Sequence, residues 1–117
     1  MNTRGTAAEN EAADFLRKKG FTVLARNYLA KGGEIDIVAR EKKTLVFVEV
    51  KSRKSQSFGG AIAAVTLAKQ KRVEGAAVQF IQEKRPSFDS IRFDVICIGP
   101  DGIQHISNAF CPVRLTI

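Results

Sequence analysis

A chain of 117 residues is long enough for one domain with a hydrophobic core and short for two. Its hydrophobic fraction of 44% and charged fraction of 26% are ordinary for a globular protein, and no apolar run reaches the ~20 residues that span a bilayer. The formal charge of +7 suits either a plain solvated surface or a polyanionic partner such as nucleic acid, and membrane spanning is excluded.

The opening residues Met1-Asn2-Thr3-Arg4-Gly5 are small and polar, without the apolar core of a signal peptide, so a cytoplasmic protein is expected. From Thr6 to Lys19 the spacing predicts a helix stopped by Gly20. Ala8, Ala12, Ala13, Phe15 and Leu16 fall on its apolar arc, and Glu9 is the charged side chain that intrudes there. A glutamate near a helix N-terminus is also favoured by the helix dipole, so Glu9 alone decides nothing.

Phe21 to Asn27 reads as a strand, Tyr28 to Gly33 as a loop, and Glu34–Arg40 and Thr44–Lys51 as an antiparallel hairpin around Glu41-Lys42-Lys43. Ser52 to Gly60 is polar and predicts a mobile loop. A second helix begins near Ala61–Thr66, is strongest from Leu67 to Lys84 and stops before Pro86. Its buried arc is Val73, Ala76, Ala77 and Phe80, with Lys69 projecting on the same arc, where snorkelling at the core rim is the plain account. Ser90–Ile98 and Ile103–Ser107 are strands joined by Gly99-Pro100-Asp101-Gly102, and the apolar tail from Ala109 to Ile117 is expected to pack. Cys97 and Cys111 lack any metal-ligand spacing and predict reduced, buried thiols; His105, the single histidine, has no partner for a zinc site.

Chemistry concentrates in Glu34-Ile35-Asp36 and Val46-Phe47-Val48-Glu49-Val50-Lys51. Period-two alternation puts Glu34 and Asp36 on one face, and Leu45, Phe47, Glu49 and Lys51 on one face of the next strand. Both faces look apolar, and a carboxylate buried in such a strand needs a partner. Cross-strand pairing of these acids with Lys51 or Arg53 on a surface hairpin would satisfy them. The sharper reading aims Asp36, Glu49 and Lys51 at one point, as a divalent-cation site with an ammonium beside it. Hard oxygen ligands and a neighbouring lysine suit metal-assisted phosphodiester cleavage. Asp94, in Arg92-Phe93-Asp94, looks inward and is expected to form a structural ion pair with Arg92, Arg26 or Lys51.

Asp36 followed by Glu49-Val50-Lys51 resembles the D…E-x-K core of the PD-(D/E)XK nuclease superfamily, and a preceding helix bearing Glu9 is similar to its archaeal Holliday-junction resolvases. More closely, Gly5, Glu9, Ala13, Leu16, Gly20, Arg26-Asn27, Gly33-Glu34-Ile35-Asp36-Ile37, Val46 to Lys51 with Arg53, and Arg92 to Ile96 look like the YraN-like family of small bacterial proteins. The resemblance implies a restriction endonuclease-like α/β fold: one domain over 1–117, a central mixed five-stranded sheet flanked by helices in the order α-β-β-β-α-β-β. It implies Asp36 and Glu49 as ligands of Mg²⁺ or Mn²⁺, Glu9 as a helix-borne acid reaching the metal directly or through water, and Lys51 as the catalytic lysine. Lys69 or Gln70 stands where the superfamily's next helix lends a polar residue, while Ile35 replaces the motif's proline.

Nucleic-acid contacts are expected at Arg53, Lys54, Lys69, Gln70 and Arg72. The expected function is a metal-dependent endonuclease or nuclease-like protein processing DNA, with branched DNA in recombination or repair as one substrate class. The alternatives are a non-catalytic nucleic-acid-binding accessory module and a structural protein whose acids are ion-paired. A homodimer would suit paired cuts, with the tail and the strand around Val95 as its contact surface.

Overall fold

The computed structural model describes residues 3–52 and 66–110, with side chains from residue 7 onward. Helix α1 (Thr3–Lys18) leads into three strands, β1 (Thr22–Ala30), β2 (Gly33–Glu41) and β3 (Thr44–Ser52). Helix α2 (Leu67–Lys84) then precedes β4 (Ser90–Gly99) and β5 (Gly102–Phe110). The sheet order is β1-β2-β3-β4-β5, antiparallel except for the parallel pair β3–β4 that α2 connects. This is the mixed five-stranded α/β arrangement expected, and among the described residues no helix is long and apolar enough to cross a membrane.

Strand β3 is apolar on both faces because both are covered. Leu45 and Phe47 pack with Val73, Ala77 and Phe80 of α2, whereas Val46 and Val48 pack with Ala12, Ala13 and Leu16 of α1. Aromatic rings run through the α2 side in sequence: Tyr28 to Phe80 at 5.2 Å, Phe80 to Phe47 at 6.0 Å, Phe47 to Phe93 at 5.5 Å and Phe93 to Phe110 at 5.1 Å. Each contact adds roughly 0.5–1.5 kcal/mol beyond the area it buries.

Several expected boundaries move. Tyr28 to Ala30 is strand rather than loop, because Tyr28, Leu29 and Ala30 pair with Ile35, Glu34 and Gly33, and the Tyr28 ring meets Phe80 edge-on. The turn shrinks to Lys31-Gly32. Helix α1 begins at Thr3, earlier than the apolar arc indicates, and Gly20 closes it with φ of 97°. β5 runs on to Phe110, so Ala109 and Phe110 pack from a strand against Val95 and Cys97. Val95 is fully buried there and is withdrawn as a dimer surface. The expectations for 53–65 and 111–117, including those for Arg53, Lys54 and Cys111, lie outside the described residues. Cys97 is buried, as expected.

Helix α2 ends awkwardly. Arg85 takes the left-handed cap conformation, φ 47° and ψ 53°, so that its N–H can donate to the Ile81 carbonyl at 2.9 Å. A side chain there is strained where glycine is not. Arg85→Gly is expected to raise stability by about 0.5–1 kcal/mol, read as a Tm increase of a few degrees in thermal unfolding.

Candidate functional site

The β2–β3 ladder ends at Ile37 opposite Val48. One step further, where Asp36 would face Glu49, the strands part and a side chain takes over from backbone: Val50 N–H donates to Asp36 Oδ2 at 2.8 Å. β1 accommodates the fork, since Asn27, between the pairs Arg26–Ile37 and Tyr28–Ile35, turns to φ of 52°. Asparagine enters that region at less cost than most residues. Alternation in β2 breaks at the same place: Ile35 packs with Val38 on the α2 side, and Ile37 packs with Ala39 on the α1 side. The single regular face expected for Glu34 and Asp36 is therefore interrupted, and Asp36 occupies the mouth of the fork.

β3 keeps its alternation, which turns Glu49 toward α2 and leaves it 6% exposed. Its Oε2 lies 3.4 Å from Lys51 Nζ and 3.3 Å from Lys69 Nζ. Lys69 is held there by the helix start: Thr66 caps α2, its Oγ1 accepting from Lys69 N–H at 3.1 Å. The lysine expected to touch nucleic acid or snorkel is thus an ion-pair partner of Glu49. Gln70 follows it half-buried, and Arg72 is exposed with its backbone packed under Gly33.

Glu9 is buried on α1 beside Ala8, Ala12 and Ala13. It reaches the same electrostatic neighbourhood, as Asp36 shows. Burial, foremost, and then the charge of Glu49 push the Asp36 carboxyl up to about 7; the Val50 N–H opposes this, and Glu9 and Glu34 add to it. Among the described residues no three His, Cys, Asp or Glu side chains are gathered tightly enough to cage an ion. The chemistry nevertheless fits a cation. Once Asp36 is ionised, Glu9, Asp36 and Glu49 set three acids against two ammonium groups, Lys51 and Lys69, which leaves one negative charge. Asp36 and Glu49 offer hard oxygen donors, and Mg²⁺ commonly uses one or two carboxylates and keeps its waters.

The sign of the Asp36 shift makes a prediction. A carboxylate whose folded pKa exceeds its unfolded value takes up protons on folding, so the metal-free protein loses stability as pH rises from about 4 through about 7. Asp36→Asn keeps an acceptor for Val50 and removes the charge. Even a third of the full linkage, about 1.4 kcal/mol, raises Tm at pH 8 by roughly 5 °C in a domain of this size. The same variant should gain nothing at pH 4, and thermal unfolding at the two pH values checks both.

Asp94 belongs elsewhere. It is fully buried and accepts from Arg92 Nε at 2.8 Å, from Arg92 Nη2 and Asn108 N–H at 2.9 Å each, and from His105 Nε2 at 2.7 Å. Burial alone would raise its pKa, but the donors His105, Arg92 and Asn108 outweigh it and hold the carboxyl below the ordinary range. Arg92 continues to Glu41 at 3.1 Å, and His105 packs edge-on against Phe15 and Phe21 on the α1 side. The expected pairing with Arg92 is present; the roles of His105 and Asn108 are not visible in the sequence, because they depend on how β5 pairs with β4, in regular register at His105 and across a register shift at Asn108.

A family model described as "Uncharacterised protein family UPF0102" matches residues 8–98, a stretch containing Glu9, Asp36, Glu49, Lys51, Lys69 and Asp94. A UPF0102 protein of Saccharophagus degradans is 46% identical over 110 residues, which cover 93% of each chain. Another, of Geotalea daltonii, is 45% identical over 113 residues, 92% of this chain and 89% of the relative. A third, of Caldicellulosiruptor saccharolyticus, is 43% identical over 118 residues, 94% of this chain and 100% of the relative. The close resemblance found from the sequence motifs is to this family, and the chain belongs to the uncharacterised protein family UPF0102.

Proposed function

We propose that this protein is a metal-dependent nuclease acting on DNA, with its centre at the fork between β2 and β3. The observation that carries the proposal is the meeting of Asp36 with the buried Glu49, whose carboxylate is flanked by Lys51 and Lys69. That arrangement supports the likeness of Asp36…Glu49-x-Lys51 to the PD-(D/E)XK core.

Asp36 and Glu49 would hold Mg²⁺ or Mn²⁺, with Glu9 adding negative charge nearby. Bound there, the ion would supply Lewis acidity toward a phosphodiester oxygen and toward water. Lys51 and Lys69 are about equally exposed, and Lys51, the lysine of the Glu49-x-Lys51 motif, would orient an attacking water and offset the charge that develops on the phosphate. Lys69 remains to balance Glu49. Asp36, whose carboxyl is pushed up to about 7, would hold such an ion as the carboxylate, so uptake of the ion would be favoured by rising pH.

A second reading draws on the same ion pairs. Glu49 is already neutralised by two lysines, which suits an accessory module that binds nucleic acid without cutting it. Calorimetry with Mn²⁺, followed by cleavage assays on linear, nicked, single-stranded and branched DNA, separates the two. Mn²⁺ binding that is lost in Asp36→Ala, together with cutting of any of these forms, supports the nuclease. DNA binding without Mn²⁺ uptake or cutting supports the module.

A further inference from the structure

Gly75 stands in the middle of α2, where glycine is among the poorest helix formers. Among the described residues nothing requires it, because a Cβ there would meet none of their atoms within 4 Å. Gly33 is the opposite case: its Cβ would sit 2.7 Å from the Arg72 carbonyl oxygen, so the close approach of β2 to α2 demands glycine. Gly75 instead lines an open groove of about 300 Å³ between α2 and the β1–β2 turn. Lys71, Arg72 and Gln79 stand along the helix side, and Lys31 and Gly32 along the turn. The walls are tied where Lys31 N–H donates to Gln79 Oε1 at 3.1 Å, and a Cβ on Gly32 would also meet nothing. Three cationic residues therefore border a groove with two glycines whose side-chain space is empty.

We propose that this groove seats the sugar–phosphate backbone of a nucleic-acid strand and leads it to the Asp36–Glu49 fork. The inference rests on the nucleic-acid reading above and adds the path. Missing side chains let phosphates come close to backbone, and the lysines and arginine supply the charge that phosphate contacts use. Gly33, packed on Arg72 beside the groove, lies three residues before Asp36 on β2, about 10 Å along a strand. That distance is roughly three base steps of duplex axis.

Gly75→Glu is the sharpest probe, since the structure leaves room for the side chain and glutamate favours helix. Its Tm should equal or exceed that of the native protein. Binding is read by fluorescence anisotropy with a labelled single-stranded oligonucleotide and a labelled four-way junction, in Ca²⁺. Gly75→Glu should weaken binding about 10-fold or more, and Lys71→Ser with Arg72→Ser should lower the single-strand salt slope by roughly 1.4. Lys43→Glu, on the distant β2–β3 turn, should change affinity less than about threefold. Inorganic phosphate competing as well as the oligonucleotide would mean a free-anion pocket and overturn the strand path. Native affinity in both groove variants would overturn the groove while leaving the nuclease proposal standing. A native protein that binds no DNA would remove both.

Discussion

Lys51→Ala is expected to reduce DNA cleavage about 100-fold or more, while DNA binding stays within about threefold. The separation follows from the geometry. Lys51 is 29% exposed and Glu49 is also held by Lys69 at 3.3 Å, so loss of one ammonium does not orphan the buried carboxylate. The variant should therefore fold, with a Tm within a few degrees of native, and its defect should appear in the single-turnover cleavage rate. Lys69→Ala makes the informative comparison: it removes one ammonium from Glu49 but keeps the motif lysine Lys51, so its cleavage loss should be smaller. If Lys51→Ala and Asp36→Ala both cut at the native rate, the nuclease assigned to this fork does not exist.

Asp94→Ala should have the largest effect on folding. Removing a fully buried carboxylate leaves Arg92, His105 and the Asn108 amide facing an empty acceptor, and breaking such a pair costs about 3–5 kcal/mol. Urea unfolding at pH 7 reads the loss directly. The pH dependence has a definite sign. A carboxyl whose folded pKa lies below its unfolded value contributes stability that is complete above the ordinary carboxylate range and is lost as pH falls through the folded value. Asp36 works in the opposite sense, withdrawing stability as pH rises toward about 7. Together they place the greatest stability that these two groups allow the metal-free protein at about pH 4, where Asp94 is ionised and Asp36 is still protonated. A native-like dependence in Asp94→Ala would show that other groups govern acid unfolding.

Much of the fold was legible because period-two and period-3.6 patterns are local. The valines of β3 alternating with Leu45 and Phe47 announced a strand covered on both sides, and Gly20 and Pro86 bracketed helices in the way backbone sterics require. The extension of β1 past Asn27 was hidden because Gly32-Gly33 reads as the close of a loop, although Gly33 already belongs to β2 and Asn27 takes its positive φ within a continuing strand. Glu49 facing Lys51 was legible from two-residue spacing; Lys69 facing Glu49 was only half so. Its inward position on the helix could be read, but which carboxylate lay below depends on how α2 crosses the sheet. The Asp94 acceptor set was hidden further, since it depends on the β5 register shift and on Asn108 at φ of 54°.

The crossover that makes β3 and β4 parallel also carries Lys69 back over Glu49. Contacts between segments so far apart in the chain form late, after local hairpins and helices. A nascent or partly folded molecule can thus possess β2, β3 and their acids without the counterion that α2 brings. In such a molecule Glu49 would have Lys51, two residues along its own strand, as its ammonium neighbour and would still lack Lys69. The two-lysine surround of Glu49 is consequently a product of the docking of α2, set by the same topology that makes β3 and β4 parallel.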